Sequence, residues 1–122
     1  MSANVDFKDS KFEMIQLSGS WARERHIIRT PLRIGGQCVE SRRGASSHAQ
    51  NPFMALVRKD ATETNGDVYA MSLVYSGNFL ANTEVDMYSK ARMQIGINPF
   101  DFTWLLKAGE EFQAPEAVLV YS

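Results

Sequence analysis

Phe79-Leu80-Ala81-Asn82-Thr83-Glu84-Val85-Asp86-Met87-Tyr88-Ser89-Lys90-Ala91-Arg92-Met93-Gln94-Ile95-Gly96-Ile97 sets the pattern for the whole chain. Phe79, Ala81, Thr83, Val85 and Met87 alternate with Asn82, Glu84 and Asp86. Beyond Ser89-Lys90, Ala91, Met93, Ile95 and Ile97 alternate with Arg92, Gln94 and Gly96. Successive side chains of a strand point to opposite faces, so one apolar set at a period of two predicts two half-buried strands. Ser89-Lys90 is the expected tight turn between them.

The same reading extends in both directions. Asp60 to Asp67 is a turn, with Asn65-Gly66 supplying the positive-φ positions that a hairpin prefers. Val68 to Tyr75 is apolar or small on both faces, as expected of a central strand covered on both sides. Lys11 to Leu17 alternates and is expected to stop at Ser18-Gly19-Ser20; Trp21 to Arg29 then reads as the next strand, closed by Thr30-Pro31. Gln37 to Ser41, Met54 to Arg58 and Ala117 to Tyr121 are shorter strands. Phe102 to Leu106 is a further apolar stretch whose Trp104 is expected in the core. About eight or nine strands, with turns every ten or so residues, predict an all-β fold, an antiparallel β-sandwich over residues 11–122. Residues 1–10 read as a loosely ordered segment.

A chain of 122 residues makes one domain and can bury roughly two-thirds of its unfolded surface. Hydrophobic content of 44% and charged content of 22% are those of an ordinary globular protein. A net charge of -1 argues against a general nucleic-acid or anionic-membrane binder. Six arginines, Arg23, Arg25, Arg29, Arg33, Arg42 and Arg43, crowd between Trp21 and Arg43, and the absence of lysine among them favours fixed planar contacts at an interface. The single cysteine, Cys38, excludes an internal disulfide and reads as a small half-buried strand residue of a cytoplasmic protein. No apolar run approaches the roughly 18 residues of a membrane span.

Cleaving a glycosidic bond usually takes two carboxylates, about 5 Å apart for retention or up to about 9.5 Å apart for inversion. Glu84 and Asp86 share a strand face, but alternation with apolar residues makes that face a solvated edge. His26 and His48 are the only histidines, and no spacing with cysteine or carboxylates makes a metal site. Adjacent Ser47 and His48 do not make a nucleophile and base, since such partners meet across a fold. Trp21, directly after Ser18-Gly19-Ser20, stands where a ring can project from a sheet rim, and core packing is the alternative. The polar loop Arg42 to Asn51 suits a contact with another domain or subunit.

Four runs occur in order: Trp21-Ala22-Arg23-Glu24-Arg25-His26, Arg43-Gly44-Ala45-Ser46-Ser47-His48, Tyr75-Ser76-Gly77-Asn78-Phe79 and Asn98-Pro99-Phe100-Asp101-Phe102. Together they resemble the N-terminal β domain of bacterial α-galactosidases of glycoside hydrolase family 36, from about Phe12 to Ser122. The resemblance implies part of a β-supersandwich, the second half of the N-terminal domain of an enzyme hydrolysing terminal α-galactosides with retention. The two catalytic aspartates then belong to a barrel beyond Ser122, whose motifs are absent here, so the chain alone is expected to be inactive. It also implies no cofactor, Trp21 as a wall of the galactose pocket, and tetramer contacts through the arginine-rich stretch and Arg43, Ser46, Ser47, His48 and Asn51. A stand-alone carbohydrate-binding module and a purely structural assembly domain are the alternatives.

Overall fold

A computed structural model describes all residues, Met1–Ser122. The chain forms nine strands: β1 Ser2–Phe7, β2 Phe12–Ser20, β3 Arg23–Pro31, β4 Gly35–Glu40, β5 Gln50–Arg58, β6 Val68–Val74, β7 Phe79–Val85, β8 Ala91–Ile97 and β9 Glu116–Tyr121. They make a four-stranded sheet in the order β1-β8-β7-β4 and a five-stranded sheet in the order β3-β2-β5-β6-β9. Every pairing is antiparallel. The expected β-sandwich is the observed fold.

The period of two accounts for the core. Val39, Phe79, Ala81, Met93 and Ile95 line the inner face of the smaller sheet. Phe12, Met14, Met54, Leu56, Met71 and Leu73 line the inner face of the larger one. Register keeps each set in step: Ala81 lies opposite both Val39 and Ile95, and Met54 opposite Met71. A slip of one residue in any strand would turn its apolar set to water.

Several local expectations need correction. Residues 1–10, expected to be loose, contain β1, because Ala3, Val5 and Phe7 also alternate and pair with Ile95, Met93 and Ala91. Phe7 meets Phe12 and Tyr69 with ring centroids 5.0 and 4.9 Å away. Phe102 to Leu106 is not a strand, and Trp104 is 59% exposed rather than core, its ring meeting the Phe112 ring with centroids 4.9 Å apart. Cys38 is exposed, facing outward across from Asn82. Val68 to Val74 has one face on the core and the other half-open, so the two-sided cover expected of it is incomplete.

The Asn65-Gly66 turn forms as expected. Gly66 has φ 101°, and a Cβ there would come 2.7 Å from Ala61, so only glycine closes it without strain. Between β1 and β2, Asp9 accepts from Arg58 Nη1 at 2.7 Å, and the Arg58 guanidinium lies over the Phe12 ring, 4.0 Å from its centroid. The Arg58 hydrogen bond, followed by the Lys11 amide, holds the Asp9 carboxyl below the usual aspartate value. A depressed carboxyl stabilises the fold above its unfolded value, near about 3.9, and that contribution is lost as pH falls through the lower folded value. Asp9→Asn should therefore melt slightly below the wild type at pH 7, the margin being small for a half-exposed pair. The two melting curves should converge below about pH 4; a gap that widens in acid would contradict the assignment.

Candidate functional site

β2 and β3 form a hairpin whose far half leaves the body of the sandwich. Ser18-Gly19-Ser20 does not end β2 but continues it through a register shift, and the chain turns one residue pair later, at Trp21-Ala22. Ala22 adopts φ 62°, a left-handed conformation uncommon outside glycine and asparagine. Trp21 is therefore the tip of the hairpin instead of the first residue of β3, and it is 84% exposed. Gly19 is required by close approach: a Cβ there would lie 2.3 Å from the Arg23 carbonyl oxygen.

The polar loop between β4 and β5 packs against the foot of this hairpin. Gly19 N–H and Ser18 Oγ both donate to the Ala49 carbonyl, at 3.1 Å each. Gln50 Nε2 donates to Ser18 Oγ at 3.2 Å, and Ser47 bridges to Gln50. Ser47 and Asn51 are half-buried in this contact, and His48 faces solvent. The side-chain oxygens of Gln50 and Asn51 are buried without a hydrogen-bond donor, an uncommon state for buried acceptors.

The other half of the loop is tied elsewhere. Ser46 N–H donates to the Ser76 carbonyl at 2.8 Å, and Gly44 N–H to Asn78 Oδ1 at 2.7 Å. Buried Asn98 completes the knot, donating through Nδ2 to Glu40 and to the Ser41 and Phe79 carbonyls, at 3.0 to 3.4 Å. Arg42 pairs with Glu40 at 3.0 Å and covers the Phe100 ring. Three of the five connections that cross between the sheets, 41–49, 75–78 and 98–115, are thus joined at one end of the sandwich. Asn78 and Asn98 are the joining residues, and sequence reasoning overlooked both; their place beside Gly77 and Pro99 marked them only as loop residues.

The arginines divide. Arg29 lies along its own sheet, paired with Glu13 and donating to the Arg58, Lys59 and Ala61 carbonyls. Arg23, Arg25, Arg33 and Arg43 are exposed and make no ion pair. His26 is exposed on β3, across from Ser18, while Trp21 and His48 lie on the hairpin and on the loop at its foot.

Carboxylates gather at a different place. Asp6, Glu84 and Asp86 line a groove of about 380 Å³ together with Lys90 and Arg92. Arg92 Nε donates to Asp6 at 2.6 Å and lowers its carboxyl pKa, so Asp6 is ionised at neutral pH. Asp86 accepts the Tyr88 and Lys90 amides at 2.9 Å each and shapes the β7–β8 turn. A general acid needs a raised pKa, whereas Asp6 is held low as the ion-pair partner of Arg92 and Asp86 serves the turn.

Comparison with known proteins matches residues 1–107 to the model of the glycosyl hydrolase family 36 N-terminal domain. The chain is 61% identical over 122 residues to the alpha-galactosidase AgaA of Geobacillus stearothermophilus, covering all of this chain and 17% of AgaA. It is 46% identical over 121 residues to alpha-galactosidase 1 of Pediococcus pentosaceus, covering 16% of that protein. A crystal structure of an AgaA variant in complex with 1-deoxygalactonojirimycin superposes with a TM-score of 0.95, over 98% of this chain and 17% of that one. The chain thus spans about a sixth of the length of these relatives.

The hairpin geometry yields a direct test. Gly19→Ala forces a Cβ against backbone of the facing strand, an overpacking that costs about 1–3 kcal/mol. A circular dichroism melt should fall by roughly 4 °C or more, and an unchanged midpoint would show that the hairpin foot accommodates a methyl group.

Proposed function

The chain belongs to the glycosyl hydrolase family 36 N-terminal domain family, and on that premise we propose that it is the non-catalytic β domain of a larger α-galactosidase. That parent hydrolyses terminal α-galactosides of the melibiose and raffinose type with retention, using carboxylates of a barrel outside these 122 residues. The domain packs on the barrel, contributes one wall of the galactose pocket and supports assembly into a tetramer. The single exposed cysteine supports a reducing, cytoplasmic setting.

One observation carries this reading: a tryptophan held 84% exposed at the tip of a hairpin whose foot is fastened by a second loop. Exposed there, the ring adds little to the stability of this domain. A rigid aromatic plane suits the C–H face of a sugar ring, because little conformational freedom is lost when it binds. Arg43, Ser46, Ser47, His48 and Asn51 lie on the loop that fastens the hairpin, and we assign them to the contact with the barrel or a neighbouring subunit. The donorless oxygens of Gln50 and Asn51 support a contact there.

Trp21→Ala in the full-length enzyme separates this reading from a stand-alone sugar-binding module and from an assembly domain with no sugar contact. Loss of a pocket wall should lower kcat/KM by about 10-fold, or about 1.4 kcal/mol, with thermal stability retained. Unchanged kinetics would remove Trp21 from the pocket. Galactose binding by the 122-residue chain at full-length affinity would favour the stand-alone module.

A further inference from the structure

Six asparagines are spread along the chain, and Asn65 alone among them is followed by glycine. An asparagine carboxamide is open to attack by the backbone nitrogen of the next residue, because the ring that closes is small and unstrained. The attack needs a nitrogen that carries a proton, is free of hydrogen bonds, and can swing toward the side chain with no Cβ in the way. These conditions rank the six sites. Pro52 and Pro99 follow Asn51 and Asn98 and have no N–H. Asn4 and Asn82 lie within β1 and β7 and precede the stiff, branched Val5 and Thr83. Asn78 precedes bulky Phe79, and its Oδ1 accepts the Gly44 N–H at 2.7 Å.

Asn65 meets every condition. It lies in the loop between β5 and β6, where both Asn65 and Gly66 are exposed. Closure of that loop uses other groups. The Asn65 carbonyl accepts the Thr62 N–H at 2.7 Å, and the Asp67 carbonyl accepts the Arg58 N–H at 3.1 Å, while the Gly66 N–H donates to no carbonyl. The side-chain bonds within the loop are those of Thr62 and Thr64, which leave the Asn65 carboxamide free.

The same loop has little room for a longer backbone. A Cβ on Gly66 would come 2.7 Å from Ala61, and Ala61 is buried. The Ala61 carbonyl accepts Arg29 Nη1 at 3.1 Å, and Arg29 Nη2 holds the Arg58 and Lys59 carbonyls at 2.9 Å each, so the loop is clamped to β3. One extra methylene between residues 65 and 66 would drive the chain against Ala61 and pull Asp67 away from Arg58. Asp60, Glu63 and Asp67 already make the loop acidic, so a carboxylate formed there meets like charge.

We propose that Asn65-Gly66 is a self-modification site, at which the folded domain ages into an isoaspartate form of lower stability. The Gly66 nitrogen bonds to Asn65 Cγ, the Cγ–Nδ2 bond breaks, and the side-chain nitrogen leaves as ammonia with the proton that the backbone nitrogen gives up. Water then opens the cyclic imide. Breaking the bond from Gly66 nitrogen to Cγ leaves an aspartate on the original backbone. Breaking its bond to the Asn65 backbone carbonyl carbon leaves isoaspartate, in which the main chain runs through Cβ and Cγ. Either product adds one negative charge to the net charge of -1. Water is the one co-reactant, and no oxidant or reductant is involved.

Peptide mapping tests this on the 122-residue chain and on the full-length enzyme, each kept folded at neutral pH for several days. Ammonia loss at Asn65 should run at least about 10-fold faster than at any other asparagine, because reach between the reacting atoms governs such intramolecular rates. The product should accept a methyl group from an isoaspartyl carboxyl methyltransferase. Asn65→Gln, whose longer side chain must close a larger ring, should accept none. The separated isoaspartate form should melt roughly 4 °C or more below the unmodified chain. Asn65→Asp carries the same charge on an unlengthened backbone and should melt within roughly 2 °C of it. Persistence of Asn65 in both proteins, faster loss at another asparagine, or an isoaspartate form that melts with the unmodified chain would overturn the proposal. Ageing confined to the 122-residue chain would overturn it for the enzyme. Galactoside kinetics play no part in these readouts, so the Trp21 pocket role stands or falls separately.

Discussion

The contact between the inner faces of the two sheets governs everything else in this molecule. Phe79, Ala81, Met93 and Ile95 meet Met14, Met54, Leu56, Met71 and Leu73 in a dry layer, and no disulfide or helix assists it. Because register fixes which side chains enter that layer, it also fixes where the crossing connections 41–49, 75–78 and 98–115 leave the sheets. They converge at one end, where Asn98, buried among Glu40, Ser41 and Phe79, holds the loop that in turn holds the foot of the hairpin. The position of Trp21 is thus linked to the core through hydrogen-bonded loops, although Trp21 touches none of it.

The strands were legible because alternation is a direct consequence of one buried face. β8 is observed where Ala91 to Ile97 place it, while β7 ends at Val85, short of the expected Met87, which is 82% exposed in the turn that Asp86 shapes. β1 was missed because three apolar residues among Asn4, Asp6 and Lys8 make a weak signal until Met93 and Ile95 supply partners. The hairpin turn was displaced for a different reason. Ser18-Gly19-Ser20 has the composition of a turn, but Gly19 serves a close backbone approach, and Ala22 takes up the left-handed conformation that glycine usually provides. Trp104 was misplaced because apolar composition is the same for a core residue and for one left exposed beside a loop.

The site was legible only in part. Trp21 was identifiable as a projecting ring, and the 41–51 loop as a contact element, but spacing could not show that one braces the other. The motifs that carried the family resemblance fall on the hairpin and on the crossing connections, among them left-handed Ala22 and buried Asn98.

The account stands on the claim that this chain is a folded domain whose chemistry resides elsewhere in a longer enzyme. The most direct test is hydrolysis of an aryl α-galactoside by the purified 122-residue chain, with galactose and melibiose titrated into the same sample and followed by tryptophan fluorescence. The prediction is no turnover, with sugar binding no tighter than millimolar. Measurable turnover would place catalytic carboxylates within these residues and contradict the account.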